Sequence, residues 1–505
     1  MTAPHDFEEA ARRVREELLE RDAVARLYAA DHTLWRDDPT ELADRLGWIP
    51  VVAEVQADLS GLAKRCDALV EGIEHVLVMG MGGSSLFPEV LARSLRAAPG
   101  RPRLHVLDTT DPAAIVRFGL ECDPATTLHV ASSKSGSTIE TRSHLEWAWA
   151  RAEGRGKFAV ITDPGSELGE LARERGFDEV FENRSDIGGR YSALSLFGVV
   201  PGLLMGADVA GLLQGGVDAL AHSAPDGDPT TNPALELAVA IGAGVRSGRD
   251  KATYLLDPAL TAMGLWIEQL VAESLGKDGT GAVPIVGEPL GAPAVYGDDR
   301  LFLSQLPIDE LQAAGHPAVV GGSDASPHGI GHLAVTMELA VALAGAAIGV
   351  QPFDQPDVAA AKAATAEVLA EGGADVPEQP LDDLLAQLQP GDHLALQAFV
   401  DPGAPGIERL EAARVALRDR HRVATSLGFG PRFLHSTGQL HKGGPPAIVC
   451  VQVASPDLNE LDIPGQPFGF GHLKQAQAAG DLRTLQARGI RAGRVALDDL
   501  LGVTS

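Results

Sequence analysis

Between residues 75 and 182 the chain repeats one pattern: a run of four to six residues rich in Val, Leu and Ile, then a stretch with helical spacing. The runs are HVLVMG (75–80), RLHVLD (103–108), TLHVAS (127–132), KFAVIT (157–162) and DEVFE (178–182), and the helical stretches are 85–97, 112–119, 138–152 and 166–175. Short strands without a polar face need cover on both sides, and helices between them supply it. The pattern therefore predicts an α/β fold with a parallel sheet between two helical layers.

A weaker series follows the linker-like HSAPDGDPTTNP (222–233). It comprises helix 234–246, strand ATYLLD (252–257), helix 260–273, strands AVPIVG (282–287), RLFLSQ (300–305) and PAVVGG (317–322), and a long apolar helix over 330–348. The segment 359–380 then runs out into Ala, Glu and Pro. A third unit holds strand HLALQAF (393–399), helix 406–420, a Gly/His-rich loop near 428–446, strand AIVCVQVA (447–454), helix 470–488 and strand RVALDD (494–499). Amphipathic helices are expected over 7–30 and 56–73. At 505 residues the chain is too long for one ordinary domain.

Charge narrows the partners. Lys and Arg number 41 against 69 Asp and Glu, giving 41 − 69 = −28, which repels phosphate backbones and anionic lipid. No nucleic-acid or membrane partner is expected, nor a membrane span, and a cytoplasmic protein is. Cys66, Cys122 and Cys450 lack C-x-x-C spacing, so neither a disulfide framework nor a thiolate zinc site is expected.

Six stretches carry chemistry. In MGMGGSSLFPEV (79–90), Gly82, Gly83 and Ser84 turn from a strand into a helix, where free N–H groups favour an anion. Without the Walker lysine or the dinucleotide glycine spacing, nucleotide binding is not indicated. In ASSKSGSTIET (131–141), Ser133, Lys134, Ser135, Ser137 and Thr138 place hydroxyls and an ammonium around one turn, more donors than a helix cap needs. Two such turns at the ends of neighbouring parallel strands fall where open α/β sheets bind ligands. Arg190 follows the Gly188–Gly189 pair and reads as a fixed cation beside that ligand.

Glu288, between Gly287 and Pro289 at the end of an apolar strand, sits where desolvation would raise a carboxylate toward a general base's range. Glu273 and Lys277 read as an i,i+4 pair. Gln355 lies in the Pro-bracketed turn before the helix bearing Lys362, and His435 and His441 lie in the loop 428–446. Their spacing does not fit a helical zinc pair, and no metal is expected.

Together these stretches resemble the phosphoglucose isomerase family, built from two sugar isomerase (SIS) domains. The resemblance rests on G-x-G-G-S (80–84), S-K-x-x-x-T-x-E-T (133–141), G-G-R-Y-S (188–192), E-S-x-G-K (273–277), G-E-P (287–289) and F-D-Q-P-x-V with its lysine (353–362), all in family order. The LGW at 46–48 and G-P-R-F-L-H-S-T-G-Q-x-H-K-G-G at 430–444 are similar to the isomerase half of bifunctional transaldolase/phosphoglucose isomerases. The transaldolase half is expected to be absent.

The resemblance implies an N-terminal helical segment (1–55), two SIS domains of α-β-α sandwich type (56–215 and 216–365) and a C-terminal α/β extension (366–505). It implies interconversion of glucose 6-phosphate and fructose 6-phosphate through a cis-enediolate, with no cofactor and a possible homodimer. A dual-specificity phosphoglucose/phosphomannose isomerase using the same residues and a non-catalytic sugar-phosphate sensor are the alternatives. Glu288 takes the role of base and Arg190 that of the cation beside the enediolate. Gly82, Gly83, Ser84, Ser133, Lys134, Ser135, Ser137, Thr138 and Gln355 form the sugar-phosphate pocket, and Lys362 lies near the ring oxygen. The family's ring-opening histidine precedes this lysine, where the chain has no matching loop. His441 is the expected replacement and His435 the second choice.

Overall fold

The computed structural model describes residues 5–373, 376–455 and 459–504, with nothing said of the side chains of Val358 and Ala359. Part of the Ala/Glu/Pro segment at 359–380 therefore lies outside the described residues.

The first apolar series forms a five-stranded sheet of β1 (His75–Gly80), β2 (Arg103–Leu107), β3 (Thr127–Ser132), β4 (Lys157–Thr162) and β5 (Glu179–Glu182), in the order β2-β1-β3-β4-β5. Every pairing is parallel, and β3 is buried along its whole length, as a strand covered on both faces must be. A second parallel sheet joins β6 (Lys251–Leu255), β7 (Val283–Ile285), β8 (Arg300–Ser304) and β9 (Ala318–Val320) in the order β7-β6-β8-β9. A third joins β10 (His393–Phe399), β11 (Ala424–Phe429), β12 (Ile448–Ala454) and β13 (Arg491–Arg494) in the order β11-β10-β12-β13, again all parallel. The chain is α/β throughout.

One core spans the first two sheets, and the helix Pro327–Ile348 runs through it. By length and composition this helix could cross a membrane, a feature missed by looking only for unbroken apolar runs, but its apolar window is 89% buried inside the protein. It crosses helix Val209–His222 at van der Waals limits. A methyl on Gly215 would lie 1.9 Å from the His328 carbonyl oxygen, and one on Gly331 would lie 1.9 Å from that of Leu212. Glu338 is buried in the same helix, where desolvation drives its carboxyl well above the ordinary value.

The third unit departs from expectation in three places. The run RVALDD is not the strand: β13 is the polar Arg491–Arg494 before it, and the Leu-Asp-Asp-Leu-Leu spacing makes 497–501 helical. The edge strand β11 precedes and enters the Gly/His-rich stretch, and that stretch is itself helical over Gly438–Gly443. At the N-terminus the helix expected over 7–30 breaks after Glu20, where Asp22 takes a left-handed conformation before Ala23–Tyr28.

Candidate active site

In the first sheet β1 leads outward to β2 on one side while β3 lies on the other. Loops leaving the C-terminal ends of β1 and β3 therefore diverge and leave a crevice between them. A cavity of about 610 Å³ opens there. It is lined by Gly82, Gly83 and Ser84 after β1, by Ser133, Lys134, Ser135, Ser137 and Thr138 after β3, and by Arg190, Gln355, Lys362 and His435. Gln269 and Glu273 of helix Met263–Leu275 complete the wall with Asp163.

The glycines are needed for close approach. A methyl on Gly83 would lie 1.9 Å from the Gly189 carbonyl oxygen, so the turn after β1 and the turn carrying Arg190 touch backbone to backbone. A methyl on Gly82, whose φ is +55°, would lie 2.8 Å from the His435 carbonyl oxygen. This contact seats the C-terminal unit on the first sheet.

The loop after β3 is a donor-rich cradle. Thr138 is the N-cap of helix Ile139–Ala152, but its hydroxyl makes no capping bond, so the first-turn N–H groups keep their capacity for an anion. Its Oγ1 lies 3.3 Å from Ser133 Oγ, which accepts from the Gly136 N–H at 3.2 Å, and Ser135 Oγ lies 2.9 Å from Ser137 Oγ. Lys134 is not a free cation here. Its ammonium pairs with Asp163 at 2.7 Å and donates to the Ser185 carbonyl.

Across the cavity, Glu273 is buried, with Arg190 Nη1 and Gln269 Nε2 each 3.3 Å from its Oε2. Burial raises its carboxyl above the ordinary value, and the charges of Arg190, His435 and Lys277 oppose that rise. Arg190 also donates to Ser274 Oγ at 2.9 Å and to the carbonyls of Pro352 and Asp354 at 2.6 and 2.9 Å. The expected Glu273–Lys277 pair does not form. Lys277 instead turns to Asp354 Oδ1 at 2.6 Å, and burial depresses its ammonium to about 8.

The histidine at the cavity is His435. Its Nε2 lies 2.8 Å from Glu140 Oε1, and the same oxygen accepts from Gln477 Nε2 at 2.6 Å. Burial works to raise the Glu140 carboxyl, but the charge and hydrogen bond of His435 prevail and bring it to about 2. Glu140 is thus a fixed anion orienting the ring. The His435 carbonyl accepts from Gln269 Nε2 at 2.9 Å, tying the histidine to the helix that carries Glu273.

Two expectations need correction. Glu288 does not line the cavity. It is buried between Arg300 at 3.2 Å and Arg418 at 3.4 Å, an ion-paired tie between the second and third units rather than an isolated carboxylate. His441 is also absent from the cavity wall. Its helix buries it inside the third unit, with Nδ1 at 3.0 Å from Gln397 Nε2, and desolvation depresses it to about 3. Sequence reasoning missed Glu273, Gln269, Glu140, Asp163 and Gln477. Glu273 and Glu140 stood inside motifs already singled out, E-S-x-G-K and T-x-E-T, whereas Gln477 carried no local signal.

The family model described as phosphoglucose isomerase matches residues 36–298. The glucose-6-phosphate isomerase of a Cyanothece species is 30% identical, with the alignment covering 70% of this chain and 74% of that protein. That of Rubrobacter xylanophilus is 30% identical over 67% of this chain and 91% of its own length. Among solved structures, a hypothetical protein from Thermus thermophilus superposes with a TM-score of 0.63 at 26% identity, covering 72% of this chain and 97% of its own. A glucose-6-phosphate isomerase from Chlamydia trachomatis shares the fold, with a TM-score of 0.55 at 21% identity over 70% of this chain and 78% of its own. With the matched region enclosing the β1 and β3 turns, Arg190 and Glu273, the chain belongs to the phosphoglucose isomerase family.

Proposed function

We propose that the protein interconverts glucose 6-phosphate and fructose 6-phosphate, with Glu273 as the base that moves the proton between C2 and C1. The observation that carries this reading is the position of Glu273: a buried carboxylate on the wall of a cavity whose other walls hold an anion cradle and a histidine. Isomerisation makes four demands on such a cavity. The phosphate dianion is held by the donors at 133–138 and the open helix N-terminus behind them. The ring is opened by His435, which gives its proton to the ring oxygen and takes the proton of the anomeric hydroxyl in return, so the imidazole ends as it began. Glu140 holds the imidazole in place, and Lys362 lies on the same cavity.

Proton abstraction alpha to a carbonyl needs a base with a raised pKa, and burial supplies that at Glu273. The enediolate needs a cation that does not move during the step. Arg190, held by Ser274 and two backbone carbonyls, is preorganised for that task. His435 reaches the cavity from the same chain, so this reading needs no residue from a second subunit. Three buried, unpaired cysteines fit a reducing, cytoplasmic setting.

The test is a coupled assay with fructose 6-phosphate and mannose 6-phosphate side by side. Turnover of fructose 6-phosphate is expected. Turnover of mannose 6-phosphate alone, or binding of both without turnover, would refute the assignment.

A further inference from the structure

At the opposite, N-terminal end of the first sheet, three side chains from three elements converge. His75 begins β1, His105 lies in β2, and Cys122 follows helix Pro112–Glu121. His75 Nδ1 and His105 Nε2 are 3.0 Å apart, and one ligand atom each from His75, His105 and Cys122 lie within 4.8 Å of one another. His105 and Cys122 are buried, while His75 is partly open to solvent. We infer that this cluster is a metal site for a divalent ion of borderline softness, Zn²⁺ in the first instance, independent of the catalytic cavity.

The geometry supports the assignment in two ways. Two imidazole nitrogens each about 2.0–2.1 Å from one tetrahedral ion lie about 3.3 Å apart, close to the separation found, and a thiolate at about 2.3 Å completes a His₂Cys set. The second observation concerns the other nitrogen of His105. Its Nδ1 lies 3.9 Å from Glu121 Oε1, and Glu121 is itself held by Arg103 at 3.0 Å. At that distance the carboxylate makes no hydrogen bond to the ring but favours a proton on Nδ1 electrostatically, which leaves Nε2 to ligate. Bound there, the ion would clip the start of β1 to β2 and to the end of the helix that follows β2, a structural role.

The test uses the full-length, untagged protein, stripped with a chelator and then given Zn²⁺ or Co²⁺ alone. One equivalent per chain is expected, with a thiolate-to-Co²⁺ charge-transfer band. Cys122→Ser and His75→Gln should each lose the equivalent, Cys122→Ser should lose the band, and Glu121→Gln should weaken affinity about tenfold. Stripping should lower Tm and leave turnover unchanged. If Cys122→Ser does not fold, His75→Gln, altered at a partly exposed strand start, decides the matter. Absence of stoichiometric metal in the wild type would overturn the site, as would equal retention in a folded His75→Gln variant. Either result would leave a plain imidazole–imidazole hydrogen bond beside a buried thiol.

Discussion

Gly83→Ala tests whether the cavity depends on the backbone contact between the turn after β1 and the turn carrying Arg190. The added methyl would lie 1.9 Å from the Gly189 carbonyl oxygen and 2.2 Å from its carbon, both backbone atoms that no rotamer change can move. Restoring an ordinary contact of 3.4 Å requires the two turns to part by about 1.5 Å. Arg190 follows Gly189 directly, so the displacement passes to the guanidinium and loosens its grip on Ser274 and Glu273. A misplacement of about 1 Å costs about 10²-fold in rate, and overpacking of this kind costs about 1–3 kcal/mol of stability. The assay is kcat and KM for fructose 6-phosphate, with urea unfolding on the same samples. Gly188→Ala is the control, because a methyl there meets nothing within 4 Å and its φ is −69°. A Gly83→Ala variant with near-normal kcat would refute the reasoning, as would an equal loss in Gly188→Ala.

Three further predictions concern the cradle and the histidine pair. Ser133→Ala and Thr138→Ala should raise KM more than they lower kcat, and unchanged affinity for a 6-phosphosugar analogue in both would place the phosphate elsewhere. His435→Ala should impair turnover of the closed pyranose more than that of the open-chain fraction, while His441→Ala leaves that ratio unchanged; a selective loss in His441→Ala would reverse the assignment. Glu140 falls from an ordinary 4.5 to about 2 in the folded protein, so it adds stability above about pH 4.5 that is lost as pH falls toward about 2. The full effect is about 3 kcal/mol, and the stability gap between wild type and Glu140→Gln should narrow by about 1 kcal/mol from pH 7 to pH 4. A gap that holds constant over that interval would mean that folding leaves the Glu140 carboxyl unshifted, and one that moves in favour of the wild type toward pH 4 would mean that the fold protonates it.

The sheets were legible where strands are buried on both faces. β1, β3 and β4 begin and end where their apolar runs do, because a strand inside two helical layers is mainly apolar on both faces and the run itself marks its limits. The edge strands β11 and β13 were not, since Ala424–Phe429 and Arg491–Arg494 are short or polar and owe their conformation to pairing with β10 and β12. The two turns of the cavity were legible because glycine and hydroxyl clusters are local signals. The carboxylate expected in the cavity fell on Glu288 for a reason of the same kind: a carboxylate at a strand end looks desolvated in sequence, but Arg300 and Arg418 pair with Glu288 away from the cavity. Glu273 has the opposite history, an apparent helix-surface pair whose lysine is drawn away by Asp354. Which histidine faces the cavity depends on the helical turn at Gly438–Gly443, which buries His441 and leaves His435 at the rim.

The central claim is that Glu273, and not Glu288, takes the proton from C2. It is tested most directly by exchange of the C2 proton of glucose 6-phosphate with deuterated solvent, measured for Glu273→Gln and Glu288→Gln side by side. Glu273→Gln keeps the side-chain volume and removes the acceptor, so exchange and turnover should fall about 10²- to 10⁴-fold while a competitive 6-phosphosugar inhibitor still binds. Glu288→Gln leaves the buried Arg300 without its carboxylate and Arg418 with Asp419 alone, so it should lose about 3–5 kcal/mol of stability, with the folded fraction still exchanging at close to the wild-type rate. Near-normal exchange in Glu273→Gln, or its abolition in a folded Glu288→Gln, would contradict the account.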